Sequence, residues 1–253
     1  MKKAVLKTVW ETLIAVAALL LIWTVAYFLV GNDYMLPSVF DCFLSGCALL
    51  ATPTFWQAFL GTVLRVFFAF VLSFVWAAIF AVISYLLPSF GGVFSVIVAV
   101  LRSLPVLAVL LIILTFSSAG VAPVIVAFLS LFPMLYTAFH SALLGVDKNL
   151  IEMSRVYKVP FQKQLRCLYI PSVLPTAVES AGAAFAFSLK LVVSAEVLAR
   201  TAQSLGAMIQ DMQIYLQTAE VFALVAVTCV VAICVETLGT VGAKALKTRG
   251  VGL

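Results

Sequence analysis

The sequence contains very few charged residues for its length. Charged side chains account for 10% of the 253 residues and hydrophobic ones for 65%, and the mean hydropathy is +1.23. Because a soluble domain normally carries about 25% charged residues, this composition excludes an ordinary aqueous globule and indicates an integral membrane protein in a lipid bilayer. The net charge of +5 indicates no nucleic-acid partner, since the placement of basic residues in a membrane protein matters more than their number.

Residues suited to catalysis or metal binding are also scarce. His140 is the only histidine, and the five cysteines form no cluster with it. The sequence therefore predicts no metal site and no Ser/His/Asp catalytic set. The phosphate-binding pattern Gly-x4-Gly-Lys-Ser/Thr does not occur, so the chain itself is expected to bind neither ATP nor another cofactor. These features predict a membrane protein that is not an enzyme.

Long apolar segments predict an all-α integral membrane protein with six transmembrane helices. A bilayer requires about 20 predominantly apolar residues per helix, and polar or Gly/Pro-containing connections separate the six candidates. Residues 1–253 are expected to form a single transmembrane domain. The predicted spans cover about residues 10–30, 57–86, 93–116, 121–143, 173–197 and 218–241.

The distribution of Lys and Arg predicts the orientation of the chain. Eleven of the 15 basic residues lie in the N-terminal segment, in the segment 145–171 and in the C-terminal segment. The connections on the opposite side contain Arg200 as their only basic residue, together with three aspartates. Because basic loops stay in the cytoplasm, both termini and the 145–171 segment are predicted to be cytoplasmic.

The segment 145–171 interrupts the apolar pattern and is polar along most of its length. Residues 149–157 suit a short helix. Asp147 or Asn149 can cap its N-terminus, and Glu152 is expected in the first turn, where a carboxylate is stabilised by the helix dipole.

Val159 and Pro160 are expected to end this helix, since a residue before proline avoids the helical region of backbone conformation. Residues 161–169 are expected to form a second short helix before the chain re-enters the membrane. Two interpretations of the whole segment are open: an ordinary solvated loop, or a helix on which a soluble partner docks.

The same segment resembles the cytoplasmic signature of binding-protein-dependent ABC transporter permeases. That signature reads Glu-Ala-Ala, three residues, Gly, nine residues and Ile-x-Leu-Pro, and its spacing is kept from end to end. The resemblance implies that six residues of this segment couple the chain to an ATPase: Glu152, Met153, Ser154, Lys158, Ile170 and Pro171. Lys158 stands at the glycine position, so the conformational freedom of glycine is lost at the turn after the helix.

Other short motifs resemble the nitrate, sulfonate and taurine permease subgroup of this family. They are Met35-Leu-Pro-Ser-Val39, Thr62-Val-Leu-Arg65, Leu101-Arg-Ser-Leu-Pro105, Phe132-Pro133, Glu196 and Leu205-Gly-Ala-Met-Ile209. The family's Phe-Gly-x-Gly after the third span is replaced here by Phe116-Ser-Ser. The resemblance implies a nitrate-, sulfonate- or taurine-like substrate, with a pyrimidine-type vitamin precursor as the alternative.

The resemblance also implies a MetI-like fold and a set of partners. The chain is expected to be the permease subunit of an importer in a bacterial-type inner cell membrane, crossing it several times. A separate cytoplasmic ATPase would bind ATP and magnesium, and an extracytoplasmic binding protein would deliver the substrate to the connections 31–56 and 198–217. A second permease chain, identical or related, would complete the pathway.

Four of the charged residues within the predicted spans are singled out: Arg65, Arg102, Lys190 and Glu196. Because intramembrane charges are expensive, each is a candidate for lining the translocation pathway. The alternative is a structural role, in which the side chain reaches the headgroups or ties neighbouring helices together. A rival function uses Lys190 and Glu196 in an ion-coupled secondary transporter, which would predict inverted repeats that the two halves do not show.

Overall fold

The structure, a computed structural model, describes the backbone of residues 2–250 and the side chains of residues 10 and 14–245. Almost all of this part of the chain is helical. The helices are α1 (Lys2–Val30), α2 (Val39–Leu50), α3 (Pro53–Leu86), α4 (Pro88–Ser103), α5 (Val106–Phe116), α6 (Ala122–Leu144), α7 (Lys148–Val156), α8 (Phe161–Gln164), α9 (Ile170–Ala199), α10 (Leu205–Ile214) and α11 (Thr218–Gly250). A π-helical turn at Leu165–Tyr169 joins α8 to α9.

Within the described residues, four helical segments are long and apolar enough to cross a membrane. They are Pro53–Leu86, Ala122–Leu144, Phe161–Ala199 and Thr218–Ala245, and a bent helix pair brings the number to five if it counts as one span. The described apolar part of α1 is shorter, covering Ile14–Val30. The all-α membrane architecture is thus confirmed, whereas the count of six spans and the orientation stay predictions.

The segment predicted as one span at 93–116 is not one straight helix, because the chain bends there by 92° between α4 and α5; that the bent pair crosses the membrane once stays a prediction. Pro105 lacks an amide hydrogen and restricts the residue before it. Leu104 accordingly adopts an extended conformation, with φ −67° and ψ 129°. The two helices therefore form a broken pair.

The span predicted at 173–197 is longer in the structure and begins at Phe161. The expected separate helix over 161–169 is therefore wrong, since α8 and the π turn run directly into α9. The amide of Ile170 donates to the carbonyl of Leu165, five residues back, and Ser172 Oγ donates to the Leu168 carbonyl at 2.7 Å. These bonds satisfy backbone carbonyls next to Pro171, which has no amide hydrogen of its own.

The helix α9 lies at the centre of the bundle and packs against α3, α5, α6, α10 and α11. Close packing is possible because small residues line the buried face of α3. They are Ala58, Thr62, Ala69, Ser73, Ala77, Ala81 and Ser84. Without a hydrophobic effect between helices in lipid, such close approach supplies the dispersion contacts that hold the bundle together.

The backbones of α9 and α11 touch where Gly182 faces Gly239. A Cβ atom added to Gly182 would lie 2.7 Å from the Cα atom of Gly239, and one added to Gly239 would lie 2.6 Å from the Cα atom of Gly182. Both distances are far below van der Waals contact, so any side chain at this crossing forces the helices apart.

We expect Gly239→Ala to destabilise the protein by about 1–3 kcal/mol, the usual cost of overpacking. Gly92→Ala is the matched control, because Gly92 is also helical and a Cβ atom there meets nothing within 4 Å. The melting temperature in detergent, followed by tryptophan fluorescence, should fall for Gly239→Ala and stay level or rise for Gly92→Ala. Equal melting temperatures would show that the crossing tolerates a methyl group.

Candidate functional site

The polar segment between α6 and α9 forms the expected short helix, α7. Its N-cap is Asp147, one of the two predicted candidates, whose side chain accepts from the amide of Asn149 at 2.9 Å. The expected place of Glu152 in the first turn is wrong, because the helix already begins at Lys148. Glu152 lies in the second turn and is exposed.

The end of α7 is held against the start of α8 by hydrogen bonds. Ser154 is the buried residue of this helix, and its carbonyl accepts from the amide of Val159 at 2.9 Å. The side-chain amide of Gln164 donates to the carbonyl of Val159 at 2.7 Å. Because α8 continues into α9, these bonds connect α7 to the central helix of the bundle.

Apolar side chains on α7 and directly after it point into the surroundings of the protein. Met153 is 53% exposed, Val156 77% and Tyr157 76%. The charged residues Glu152 and Arg155 are exposed between them. We call this exposed surface of mixed apolar and charged character the α7 face (residues 152–157).

Lys158 adopts the left-handed conformation that the family's glycine would favour, with φ +49°. The amide of Lys158 donates to the carbonyl of Arg155 at 3.0 Å. The amide of Val159 donates to the carbonyl of Ser154. These two bonds form a Schellman motif, the usual end of a helix at a left-handed residue. The turn therefore forms without glycine, at a cost of roughly 1–2 kcal/mol for the left-handed lysine.

The structure brings four of the six predicted coupling residues together. Glu152, Met153 and Ser154 lie on α7 and Lys158 lies in the turn that follows it. Ile170 and Pro171 lie in the first turn of α9, beyond α8 and the π turn. Their predicted coupling role, like that of the other four, stays a prediction.

A second polar cluster lies at the far end of α9 and is centred on Glu196, which is completely buried. Its Oε1 atom accepts from Arg65 Nη1 at 3.0 Å, as a salt bridge. Its Oε2 atom accepts from Thr62 Oγ1 at 2.8 Å and from the Gly206 amide at 3.3 Å. All three donors are needed, because a desolvated carboxylate without partners is strongly unfavourable.

The partners of Glu196 are themselves connected to the loop between α9 and α10. Thr62 Oγ1 accepts from the amide of Leu205 at 3.0 Å, and Arg65 Nη2 donates to the carbonyl of Ala202 at 3.2 Å. Thr201 Oγ1 donates to the carbonyl of Ala119 at 2.7 Å, which ties the loop to the turn before α6. The carboxylate therefore joins α3, α9 and α10, and neighbouring hydrogen bonds add the turn before α6.

Two glycines allow these segments to approach one another. A Cβ atom on Gly206 would collide with the side chain of Glu196, and one on Gly61 would collide with the carbonyl oxygen of Gln203. The sequence motifs 62–65 and 205–209 and Glu196 were singled out separately. The structure shows that they form one cluster, although 134 residues separate Thr62 from Glu196.

The other two predicted pathway residues are placed differently. Arg102 is exposed in the last turn of α4, just before the bend. Lys190 is exposed on α9. Neither side chain forms a hydrogen bond or ion pair with any residue whose side chain the structure describes. That the four predicted residues line a translocation pathway stays a prediction.

Sequence and fold comparisons identify similar proteins. The family model described as binding-protein-dependent transport system inner membrane component matches residues 75–249. A methionine ABC transporter in an inward-facing conformation is similar in fold, with a TM-score of 0.65 and 19% identity over 78% of this chain and 99% of that chain. An amino acid ABC transporter has a TM-score of 0.66 and 18% identity over 79% and 97% of the two chains. No curated protein sequence matches the chain.

We expect Glu196→Gln to destabilise the bundle strongly, because it removes the charge that compensates Arg65. Breaking a buried ion pair from one side typically costs about 3–5 kcal/mol. The exposed glutamate of α11, Glu236, provides the control variant Glu236→Gln, which should barely change the melting temperature.

The double variant Arg65→Gln with Glu196→Gln should recover part of the loss, since no charge is left unpaired in it. A thermal double-mutant cycle measures this coupling. Additive losses in the cycle would contradict an energetic pair between the two side chains.

We expect Lys158→Gly to keep the α7 turn and to raise the melting temperature slightly, because glycine adopts positive φ without steric cost. Lys158→Val should lower it, since a β-branched residue is more strained there. Protease sensitivity of the 145–171 segment gives a second measurement. A stabilising effect of valine would contradict the left-handed conformation at this position.

Proposed function

We propose a function from one premise: the chain belongs to the family of binding-protein-dependent transport system inner membrane components. It is the permease subunit of an ABC importer and is not itself an enzyme. We infer that it forms one side of the translocation pathway for a small nutrient, and that a separate ATPase supplies the energy.

The orientation that we propose follows the positive-inside rule. The apolar part of α1 would be the first span, and the broken pair α4–α5 would count as one, which makes six spans with both termini in the cytoplasm. The α7 face would then lie on the cytoplasmic side of a bacterial-type inner membrane. The Glu196 cluster would lie near the opposite, extracytoplasmic surface.

The α7 face is the observation that carries the proposal of an ATPase partner. Val156 and Tyr157 are both more than 75% exposed, yet they lie in a polar segment that cannot be immersed in lipid. A protein partner therefore explains their exposure better than a bilayer does. The hydrogen bonds from Val159 and Gln164 would transmit movement of the docked ATPase to α9.

The transport mechanism that we propose is alternating access. Closure of the ATPase would move α7, and the continuous segment Phe161–Ala199 would carry that movement through the membrane. Two permease chains would enclose the pathway between them. An external binding protein would dock at the connections that contain α2 and α10, and α10 begins at the Glu196 cluster.

The substrate class is open between two proposals. The motif resemblance favours a nitrate-, sulfonate- or taurine-like compound over a pyrimidine-type vitamin precursor. The solved structures with a similar fold are methionine and amino acid transporters, but at 18–20% identity they support the fold alone. Membership of the family favours an ATP-driven importer over an ion-coupled secondary transporter.

We expect Tyr157→Ala to weaken co-purification of the ATPase expressed with this chain, because it removes an anchor from the α7 face. Tyr215→Ala is the matched control, since Tyr215 is equally exposed, at 75%, but follows α10. Pull-down of the tagged chain should retain the ATPase for Tyr215→Ala and lose most of it for Tyr157→Ala. Full retention by both variants, or no ATPase with the native chain, would overturn the proposal.

A further inference from the structure

The free face of α9 is narrow and carries one positive charge. Between Ser180 and Ala199 the exposed residues are Phe187, Lys190, Ser194 and Leu198, which recur every three or four positions. This spacing places them on one side of the helix. The other sides are covered by α3, α5, α6, α10 and α11.

The depth of Lys190 makes exposure to lipid unfavourable. It lies nine residues before the end of α9 at Ala199, which is about 14 Å along the axis. That distance is close to half of a hydrocarbon core of about 30 Å. A lysine side chain cannot reach the headgroups from there, so a charged group at this depth normally faces an aqueous path or a protein partner.

The nearby acidic residues do not neutralise Lys190. Glu196 lies six residues further along, about 120° away around the helix, and is buried against Arg65. Glu179 shares the face of Lys190 but lies eleven residues away, about 16 Å along the axis, and has an interaction of its own. The positive charge of Arg65, in contrast, is compensated within the Glu196 cluster.

We propose that the free face of α9 lines the translocation pathway and that the ammonium group of Lys190 selects a negatively charged substrate. This inference rests on the proposed function and narrows its substrate to an anion such as a carboxylate, sulfonate or inorganic oxyanion. Arg65 and Glu196 are paired with each other and leave no free charge for the substrate. Lys190 is the group that contacts the cargo.

A thiol reporter at Ser194 tests the proposal without knowledge of the substrate. Ser194 is one turn from Lys190 and exposed, so Ser194→Cys should react with water-soluble methanethiosulfonates if the face is aqueous. The complex with its co-purified ATPase would be treated with the anionic sulfonatoethyl or the cationic trimethylammonium reagent. Mass spectrometry resolves the modified site, and Leu189→Cys, at a buried position, is the unreactive control.

The expected result is a preference for the anionic reagent that depends on Lys190. At about 6 Å, even full solvent screening leaves a unit charge an effect of about threefold on a reaction rate. Because the lysine attracts one reagent and repels the other, the ratio of anionic to cationic rates should fall about ninefold when Lys190→Gln is added to the reporter. It should be retained with Lys190→Arg. Leu198→Cys, one turn further on the same face, serves if the first reporter does not fold.

Two outcomes would overturn the proposal. If the cysteine at position 194 does not react, lipid or the second permease chain covers this face. If the ratio of anionic to cationic rates does not change with Lys190→Gln, the lysine does not select for anions. ATPase co-purification, measured on the same preparation, tests the proposed function separately. If the ATPase is retained while the rate ratio fails to change, only the anion inference is lost.

Discussion

The carboxylate of Glu196 imposes the strongest constraint on this protein. It has no contact with solvent, so its negative charge must be compensated by donors that come from Thr62, Arg65 and Gly206. These donors belong to α3 and to the start of α10, and none of them is a neighbour of Glu196 in the chain. Compensating this one charge therefore requires that α3, α9 and α10 lie close together in a defined arrangement. Gly61 and Gly206 are needed because any side chain at either position would collide with the neighbouring segment.

Much of the architecture follows from local physical chemistry. Apolar length indicated the membrane helices, and Asp147 and Pro160 indicated where α7 starts and stops. The bend at Pro105 lies inside a segment of continuous hydropathy, so an apolar count could not reveal it. The continuity of α8 with α9 was missed for the opposite reason. Its first residues are polar, which predicts a short helix separate from the span, although a membrane helix can extend beyond the bilayer.

The two polar sites differ in how far the sequence could describe them. The α7 face is local, so spacing within 20 residues was enough to identify it. The Glu196 cluster joins segments more than 130 residues apart, and single motifs cannot show which of them meet. The same limit applied to the intramembrane charges. Arg65 and Lys190 looked alike as candidates until tertiary contacts showed that Arg65 has a carboxylate beside it.

The π turn at Leu165–Tyr169 has a geometric consequence for the two ends of the molecule. A π turn corresponds to one additional residue within an α-helix, and one residue corresponds to about 100° of rotation around the helix axis. If α8 continued into α9 as a regular α-helix, Lys190 would point in a different direction. The π turn rotates the side of α9 that carries Lys190 by about a quarter turn from that direction. The single inserted residue thus changes the azimuth of the lysine relative to α8, the helix that follows the α7 turn.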